Sequence, residues 1–264
     1  MKITKYTVET EKINTPLSLA CISDLHGRDP RKVIEALKSM KPDLILLTGD
    51  IFEVANEYME KRNFNAMKFI EAIKDIAPIY YCFGNHEVYY SHAYRKINRI
   101  PNSDIEKNNI EKILSLGIHL INDTCEESCI CGNTLYIGGI VCGDDTDPDK
   151  HFIDPDLSCV EKLDTCLGFK ILICHYPHYY EKYLKNSNLD LILSGHAHGG
   201  QWRIFNRGIY APHQGLFPKY TSGIHDGRHI INRGAVNNSM PIPRIFNPPE
   251  IVEILLINKD RKTR

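Results

Sequence analysis

The chain has 264 residues, of which 42% are hydrophobic and 25% charged, and this composition excludes a disordered, collagen-like or coiled-coil chain. Thirty-two Lys and Arg against 33 Asp and Glu leave a formal charge of −1, so there is no global basic field for non-specific nucleic-acid binding. The longest apolar stretches, such as Leu44–Leu47 and residues 254–257, are far too short to span a bilayer.

Residues 17–23 form a short apolar run that stops at Asp24-Leu25-His26-Gly27, which reads as a buried strand ending in a turn. After Asp29-Pro30, the spacing of Val33, Ile34, Leu37 and Met40 predicts a helix that stops before Pro42. Residues 43–48 are a second buried strand running into Gly49-Asp50, followed by a helix marked by Phe64, Met67, Ile70 and Ile73. A third strand, residues 78–83, ends at Gly84-Asn85-His86-Glu87. Strands and helices alternating at this length imply parallel pairing by right-handed crossovers.

Residues 89–109 are polar and irregular, an insertion or lid, ahead of a helix at Ile110, Ile113 and Leu114 closed by Gly117. Residues 118–121 and 134–141 read as strands with no long helix between them, which predicts a second sheet with antiparallel pairing. Phe169–Cys174 then runs into His175, and residues 189–193 run into Ser194-Gly195-His196-Ala197-His198. Strand composition returns at residues 228–232 and 251–257. No repeat or linker divides the chain, so one domain over residues 1–264 is expected.

The N-terminal sequence lacks the apolar segment of a signal peptide, so a cytoplasmic location is expected, and the nine cysteines read as reduced thiols. Cys129 and Cys131, near Cys125 and Cys142, lack the two-residue spacing usual in zinc knuckles and read as small buried or strand residues.

Five apolar runs thus end in polar tips: Asp24/His26, Asp50, Asn85/His86, His175 and His196/His198. In open α/β sheets ligands sit beyond the carboxyl ends of strands, so these tips can meet in one crevice. Carboxylates, imidazoles and one amide oxygen make a mixed N/O set suited to Mn, Fe, Co, Ni or Zn. Seven ligands are too many for one ion and suit two ions sharing a carboxylate, the arrangement that clamps the attacking and leaving oxygens of phosphoryl transfer. Any one of these short motifs alone is most often a turn or a surface pair. Their recurrence at five successive strand ends has no structural explanation. His92, His119, His151, His178, His213, His225 and His229 read as ordinary surface or hydrogen-bonded residues.

Asp24-Leu-His26, Gly49-Asp50, Gly84-Asn85-His86-Glu87, His175 and Gly195-His196-Ala-His198 together resemble the complete signature of the calcineurin-like metallophosphoesterases. The resemblance implies an α/β fold, a four-layer αββα sandwich of two mixed β-sheets flanked by helices. It implies that Asp24, His26 and His198 hold one divalent ion and Asn85, His175 and His196 a second, with Asp50 bridging and His86 as the catalytic histidine. The expected reaction is hydrolysis of a phosphodiester or pyrophosphate bond by a hydroxide held between the ions, with Glu87 placed to orient His86 or its neighbours. Gly199-Gly200-Gln201 and residues 210–223 are similar to the bacterial phosphodiesterases of the YkuE/YaeI type. That branch implies a nucleotide- or lipid-linked substrate, and the apolar residues beside Lys219 in residues 210–223 suggest a contact peripheral to the membrane. Glu53 stands where the wider family's second motif carries Asp, and at most a supporting role behind the ligands is expected of it.

Arg28, just after the first tip, is placed to grip a phosphate oxygen of the substrate, although a solvated loop arginine is an equal reading. In residues 210–223, Leu216, Phe217 and Tyr220 beside Lys219 either fold back onto the second sheet or meet an apolar tail of the substrate. A non-catalytic scaffold of the same fold is the alternative reading, and the presence of all seven ligands and His86 argues against it. A nuclease is disfavoured by the near-neutral charge, and no obligate protein partner is evident.

Overall fold

The structure, a computed structural model, describes residues 1–53, 59–87, 103–141, 154–237 and 243–259. Its strands follow in chain order as β1 Lys2–Thr10, β2 Leu17–Ile22, β3 Leu44–Leu47, β4 Ile79–Tyr81, β5 His119–Leu120, β6 Thr124–Ile130, β7 Asn133–Ile140, β8 Phe169–Cys174 and β9 Leu191–Ser194. Four two-residue strands follow: β10 Arg203–Ile204, β11 Arg207–Gly208, β12 Tyr210–Ala211 and β13 Gly215–Leu216. Then come β14 Gly223–His225, β15 His229–Ile231 and β16 Glu250–Asn258. The helices are α1 Arg31–Met40, α2 Glu60–Ile73, α3 Ser103–Ser115 and α4 Ser158–Asp164.

Alternation along the buried strands fixes the layering. In β2, Leu17, Leu19 and Cys21 face one core while Ala20 and Ile22 face another, and a strand buried on both faces needs a layer on each side. The first face meets Leu135, Ile137, Phe169, Ile171, Leu191 and Leu193 of a second sheet. The other face packs under Val33 and Leu37 of α1, under Met67, Phe69 and Ile70 of α2, and under Ile113 of α3. The outer face of the second sheet, with Ile140, Leu172 and Ile192, is covered by Val160 and Leu163 of α4 and by Tyr176, Tyr179 and Tyr180. The result is helices, sheet, sheet, helix, the four-layer αββα arrangement that the sequence implied.

Each sheet has six strands among the described residues, in the orders β1-β16-β2-β3-β4-β5 and β14-β15-β9-β8-β7-β6. β2, β3, β4 and β5 run parallel, and so do β7, β8, β9 and β15, so both sheets deliver the carboxyl ends of their central strands to one edge of the sandwich. β16 is antiparallel to β2, and β6 is antiparallel to β7, which makes both sheets mixed. Among the described residues no helix is long and apolar enough to cross a membrane.

Four details differ from the sequence reading, the first being that α3 begins at Ser103 and so takes in residues 103–109 of the stretch expected to be irregular. The strand expected at 118–121 is β5, which joins the first sheet in parallel with β4; the antiparallel partner of β7 is β6, an edge strand whose Glu126 and Glu127 hid it. Phe64 is 58% exposed on α2, where Lys68 covers its ring, and Ala66 and Phe69 take the buried face instead. Cys129 and Cys131 are exposed, whereas Cys21, Cys82, Cys159 and Cys174 are buried as expected. His92, His151, Cys142 and residues 89–102 of the expected insertion lie outside the described residues.

Candidate metal centre

The strand tips interlock before any ligand chemistry begins. The backbone N–H of Asp24 donates to the Gly49 carbonyl (3.0 Å) and that of His26 to the Asp50 carbonyl (2.9 Å), so the loops after β2 and β3 run side by side. Glu87, at the end of the β4 loop, accepts from the backbone N–H groups of Asp50, Ile51, Phe52 and Gly84 at 2.7–3.0 Å, and from the Tyr81 hydroxyl at 2.5 Å. Its carboxylate therefore clamps two strand tips together. Across the sandwich, the N–H of His196 donates to Asp24 Oδ1 at 3.1 Å, joining the second sheet's tip to the first.

Two motif glycines are explained by this closeness. A Cβ on Gly84 would lie 2.3 Å from Asp50 Oδ1, and one on Gly49, whose φ is +90°, would lie 2.6 Å from His175 Nδ1. Neither position has room for a side chain. Asp24, His26, Asp50, His196 and His198 adopt φ between +45° and +64°, so five of the seven predicted ligands occupy the left-handed region that L side chains avoid.

All seven residues come together. His26 Nε2 lies 3.9 Å from Asp50 Oδ2 and 4.0 Å from Asp24 Oδ1, while His198 Nε2 lies 3.5 Å from that same Asp24 oxygen. His175 Nε2 is 3.1 Å from Asp50 Oδ2, and His196 Nδ1 is 3.0 Å from Asn85 Oδ1. Asp24, His26 and His198 form one group whose donor atoms all lie within 4.8 Å of one another; Asp50, His175 and His196 form a second, and His26, Glu53 and His86 a third that shares His26 with the first. Asp24, His26, Asp50, His175, His196 and His198 are all buried.

A cation fits this arrangement. The Nε2 atoms of His26 and His175 are buried without a hydrogen-bond partner although carboxylate oxygens lie close by. An unsatisfied buried nitrogen costs about 1–3 kcal/mol, which a metal bond would remove. The Nδ1 of His175 is already engaged by the Thr48 carbonyl at 2.7 Å, which leaves Nε2 aimed at the carboxylates.

The electrostatics agree. Burial works against the ionised form of Asp50, yet His175, His86 and His26 hold its carboxyl well below the usual range. Burial likewise opposes a charge on His175, but the carboxylates of Asp50 and Asp24 push it up to about 10. His198 is driven down to about 3 by burial, against the pull of Asp24, and burial also holds His196 well below its ordinary value. Two neutral imidazoles and buried carboxylates that attract positive charge suit divalent ions.

His86, predicted as catalytic, sits half-exposed at the edge of this cluster. Its Nδ1 meets Glu53 Oε2 at 2.9 Å and its Nε2 is 4.0 Å from Asp50 Oδ2. Burial opposes its protonation, but Asp50 and Glu53 raise it to about 9. Glu53 takes the supporting place behind the ligands that was expected of it. Its other oxygen lies 3.4 Å from His26 Nδ1 and accepts from Arg62 at 2.7 Å, so one carboxylate orients a predicted ligand and the predicted catalytic histidine together. Arg28 is half-buried and lines an open cavity of about 750 Å³ with Arg31, Lys32, Asp29, Glu35 and Asn237; no predicted ligand lines it.

Sequence reading missed four contributors. The rings of Tyr176 and His213 lie 4.4 and 5.2 Å from that of His196, and His178 lies 5.5 Å from His213. A histidine three residues after His175 was the available signal. The Arg244 guanidinium lies 3.0 Å from His198 Nδ1, a contact made across 46 residues that no local pattern announces.

A sequence profile of the calcineurin-like phosphoesterase family matches residues 17–200. An uncharacterized metallophosphoesterase of Aquifex aeolicus (strain VF5) is 25% identical over 98% of this chain and 93% of its own length. The protein YpbG of Bacillus subtilis (strain 168) is 23% identical over 95% of this chain and 85% of its own. The uncharacterized metallophosphoesterase YkuE of the same bacterium is 25% identical over 86% and 72%, respectively.

Proposed function

From the premise that the chain belongs to the calcineurin-like phosphoesterase family, and so to a class of metal-dependent hydrolases of phosphate esters, we propose that it is a dinuclear phosphodiesterase or pyrophosphatase. In this reading Asp24, His26 and His198 hold one divalent ion, Asn85, His175 and His196 the other, and Asp50 stands between them. The observation that carries it is that two three-residue donor groups with no member in common, Asp24/His26/His198 and Asp50/His175/His196, each hold a histidine Nε2 that is buried and unsatisfied. When bound, the ions supply Lewis acidity that activates water near neutral pH and neutralises the phosphate oxygens.

The chain's own residues then have definite tasks. Glu53 fixes the His86 ring through Nδ1, which leaves Nε2 to give a proton to the leaving oxygen. Glu87 holds the Asp50 and Gly84 backbones so that Asp50 keeps its place between the two donor groups. Arg28 is assigned to an anionic group of the substrate beyond the scissile bond, a reading supported by its buried Nε, which has no hydrogen-bond partner among the described residues. The substrate class is nucleotide- or lipid-linked, and the enzyme is assigned to the cytoplasm, peripheral to the membrane. The reading takes residues 1–264 as one domain, supported by β1 and β16 pairing within the sheet that carries Asp24 and Asp50.

The test is to strip the protein with chelator, restore Mn, Fe, Co or Zn in turn, and assay aryl mono- and diesters, cyclic nucleotides and UDP-sugars. Loss of activity on chelation, recovery with metal, and faster turnover of diester or pyrophosphate than monoester are expected. Full activity in excess chelator would overturn the reading.

A further inference from the structure

Three phenylalanines occupy positions that folding physics disfavours. Phe205, Phe246 and Phe217 are 96%, 84% and 73% exposed, and their φ angles are +47°, +53° and +52°. Glycine or asparagine suits such turn positions, because a bulky side chain there strains the backbone by about 1 kcal/mol. Burial does not offset that strain here, since the rings face water. Strain that contributes nothing to the core points to function.

The three turns belong to adjoining loops rooted on the metal centre. The Phe205 turn lies between β10 and β11. Ile209 N–H donates to the Trp202 carbonyl at 2.9 Å and accepts, through its own carbonyl, from Phe217 N–H at 2.8 Å. Arg203 N–H donates to the Ile245 carbonyl at 3.0 Å, and Asn247 Nδ2 donates to the His198 carbonyl at 2.7 Å. Trp202, Ile204, Leu216 and Ile245 add further exposed apolar area on the same loops. Tyr220 is the residue of this region that folds back into the core. Residues 202–223 and 243–247 contain no Asp or Glu, although 33 of the chain's 264 residues, one in eight, are acidic. They contain Arg203, Arg207, Lys219 and Arg244; Arg207 and Lys219 are exposed, and Lys219 pairs with Glu181 at 2.8 Å.

We propose that these loops dock the protein on an anionic lipid bilayer, with Phe205, Phe217 and Phe246 entering the interface and the metal centre held beside it. Single aromatic side chains on separate turn tips insert among headgroups, whereas a protein partner is met by a flatter continuous patch. These loops carry no carboxylate of their own, and the exposed Arg207 beside the rings complements anionic headgroups, while Lys219 is paired with Glu181 at the border of the patch. The inference rests on the phosphoesterase reading only for what the docking serves. Vesicle binding is measured without turnover, so either can fail alone.

The full chain, loaded with Mn, is sedimented with phosphatidylcholine vesicles with and without phosphatidylserine and compared with a Phe205→Gly/Phe217→Gly/Phe246→Gly variant. Glycine relieves the φ strain, so the variant folds, and its melting temperature and aryl diester hydrolysis serve as controls. The expected result is binding to the phosphatidylserine vesicles that falls about tenfold or more in the variant, with both controls unchanged. Equal partition of the two proteins would overturn the proposal. So would concentration-dependent dimers of the wild type that the variant abolishes, since the loops would then join two copies of the chain.

Discussion

Left-handed backbone is found at ordinary turn and cap positions such as Lys41, Cys131 and Asp226, but in two further regions of this molecule it carries ligand-bearing or bulky side chains under opposite conditions. At the strand tips, Asp24, His26, Asp50, His196 and His198 are buried, and their unusual φ angles are locked by hydrogen bonds such as His26 N–H to the Asp50 carbonyl and His196 N–H to Asp24. On the rim, Phe205, Phe217 and Phe246 share the same conformation with their rings in solvent. The tips hold side chains converging inward, and the rim holds them facing outward. Left-handed backbone alone does not mark a site, since Lys41, Asp123, Cys131 and Asp226 share it in turns and caps; what sets these two regions apart is buried donor atoms at the tips and exposed bulky rings at the rim.

Substitutions at the tips should cost far more than those at the rim. We expect His86→Ala to lower kcat by about 10²–10⁴-fold while metal content stays that of the wild type, because His86 is assigned a proton and not an ion. Steady-state kinetics with parallel elemental analysis reads both. Glu53→Gln keeps the shape but weakens the hold on His26 and His86, and a loss of about 10–100-fold in activity or metal affinity is expected. A Glu53→Gln enzyme with wild-type rate and affinity would remove that carboxylate from the account.

A buried histidine away from the tips gives a smaller, pH-dependent effect. His229 is buried, stacks on Tyr180 and shares a hydrogen bond with Ser194 Oγ at 2.9 Å; burial, with His225 and Arg228 nearby, pushes it down to about 3. Its folded pKa lies below its unfolded one, so between pH 6.5 and about 3 the unfolded chain binds a proton that the folded chain refuses. Stability conferred by the neutral ring is complete above pH 6.5 and is lost as pH falls through that window. Melting curves of His229→Phe should show a shallower acid decline than the wild type, with a cost of about 1 kcal/mol at neutral pH for the orphaned Ser194 hydroxyl.

The smallest effect belongs to the rim. Relief of strain in Phe205→Gly is offset by glycine's greater unfolded-state entropy, so stability should change by no more than about 0.5 kcal/mol. A melting temperature lower by many degrees would mean that the ring packs in solution and would undo the contrast with the tips.

The tips were legible in the sequence because strands buried on both faces read as unbroken apolar runs, and a polar residue at the end of such a run stands out. The four layers became legible through the resemblance those tips carry. Edge strands were not: β1 alternates exposed and half-buried residues, and β6 carries Glu126 and Glu127, so neither resembles a buried run. The supporting shell was hidden for a different reason. Arg244 reaches His198, and His213 reaches His196, through tertiary contacts that leave no periodic trace. Of the rim rings only Phe217 was named from the sequence, and the exposure and φ angles that group it with Phe205 and Phe246 belong to the folded chain alone.

The central claim is that the converging tips hold a pair of ions with Asp50 between them, and metal stoichiometry tests it most directly. Apo protein reconstituted with Mn, freed of excess ion and analysed by mass spectrometry should carry about two ions per chain, and Asp50→Asn about one or none. No bound metal in the wild type, or the same stoichiometry in Asp50→Asn, would contradict the account.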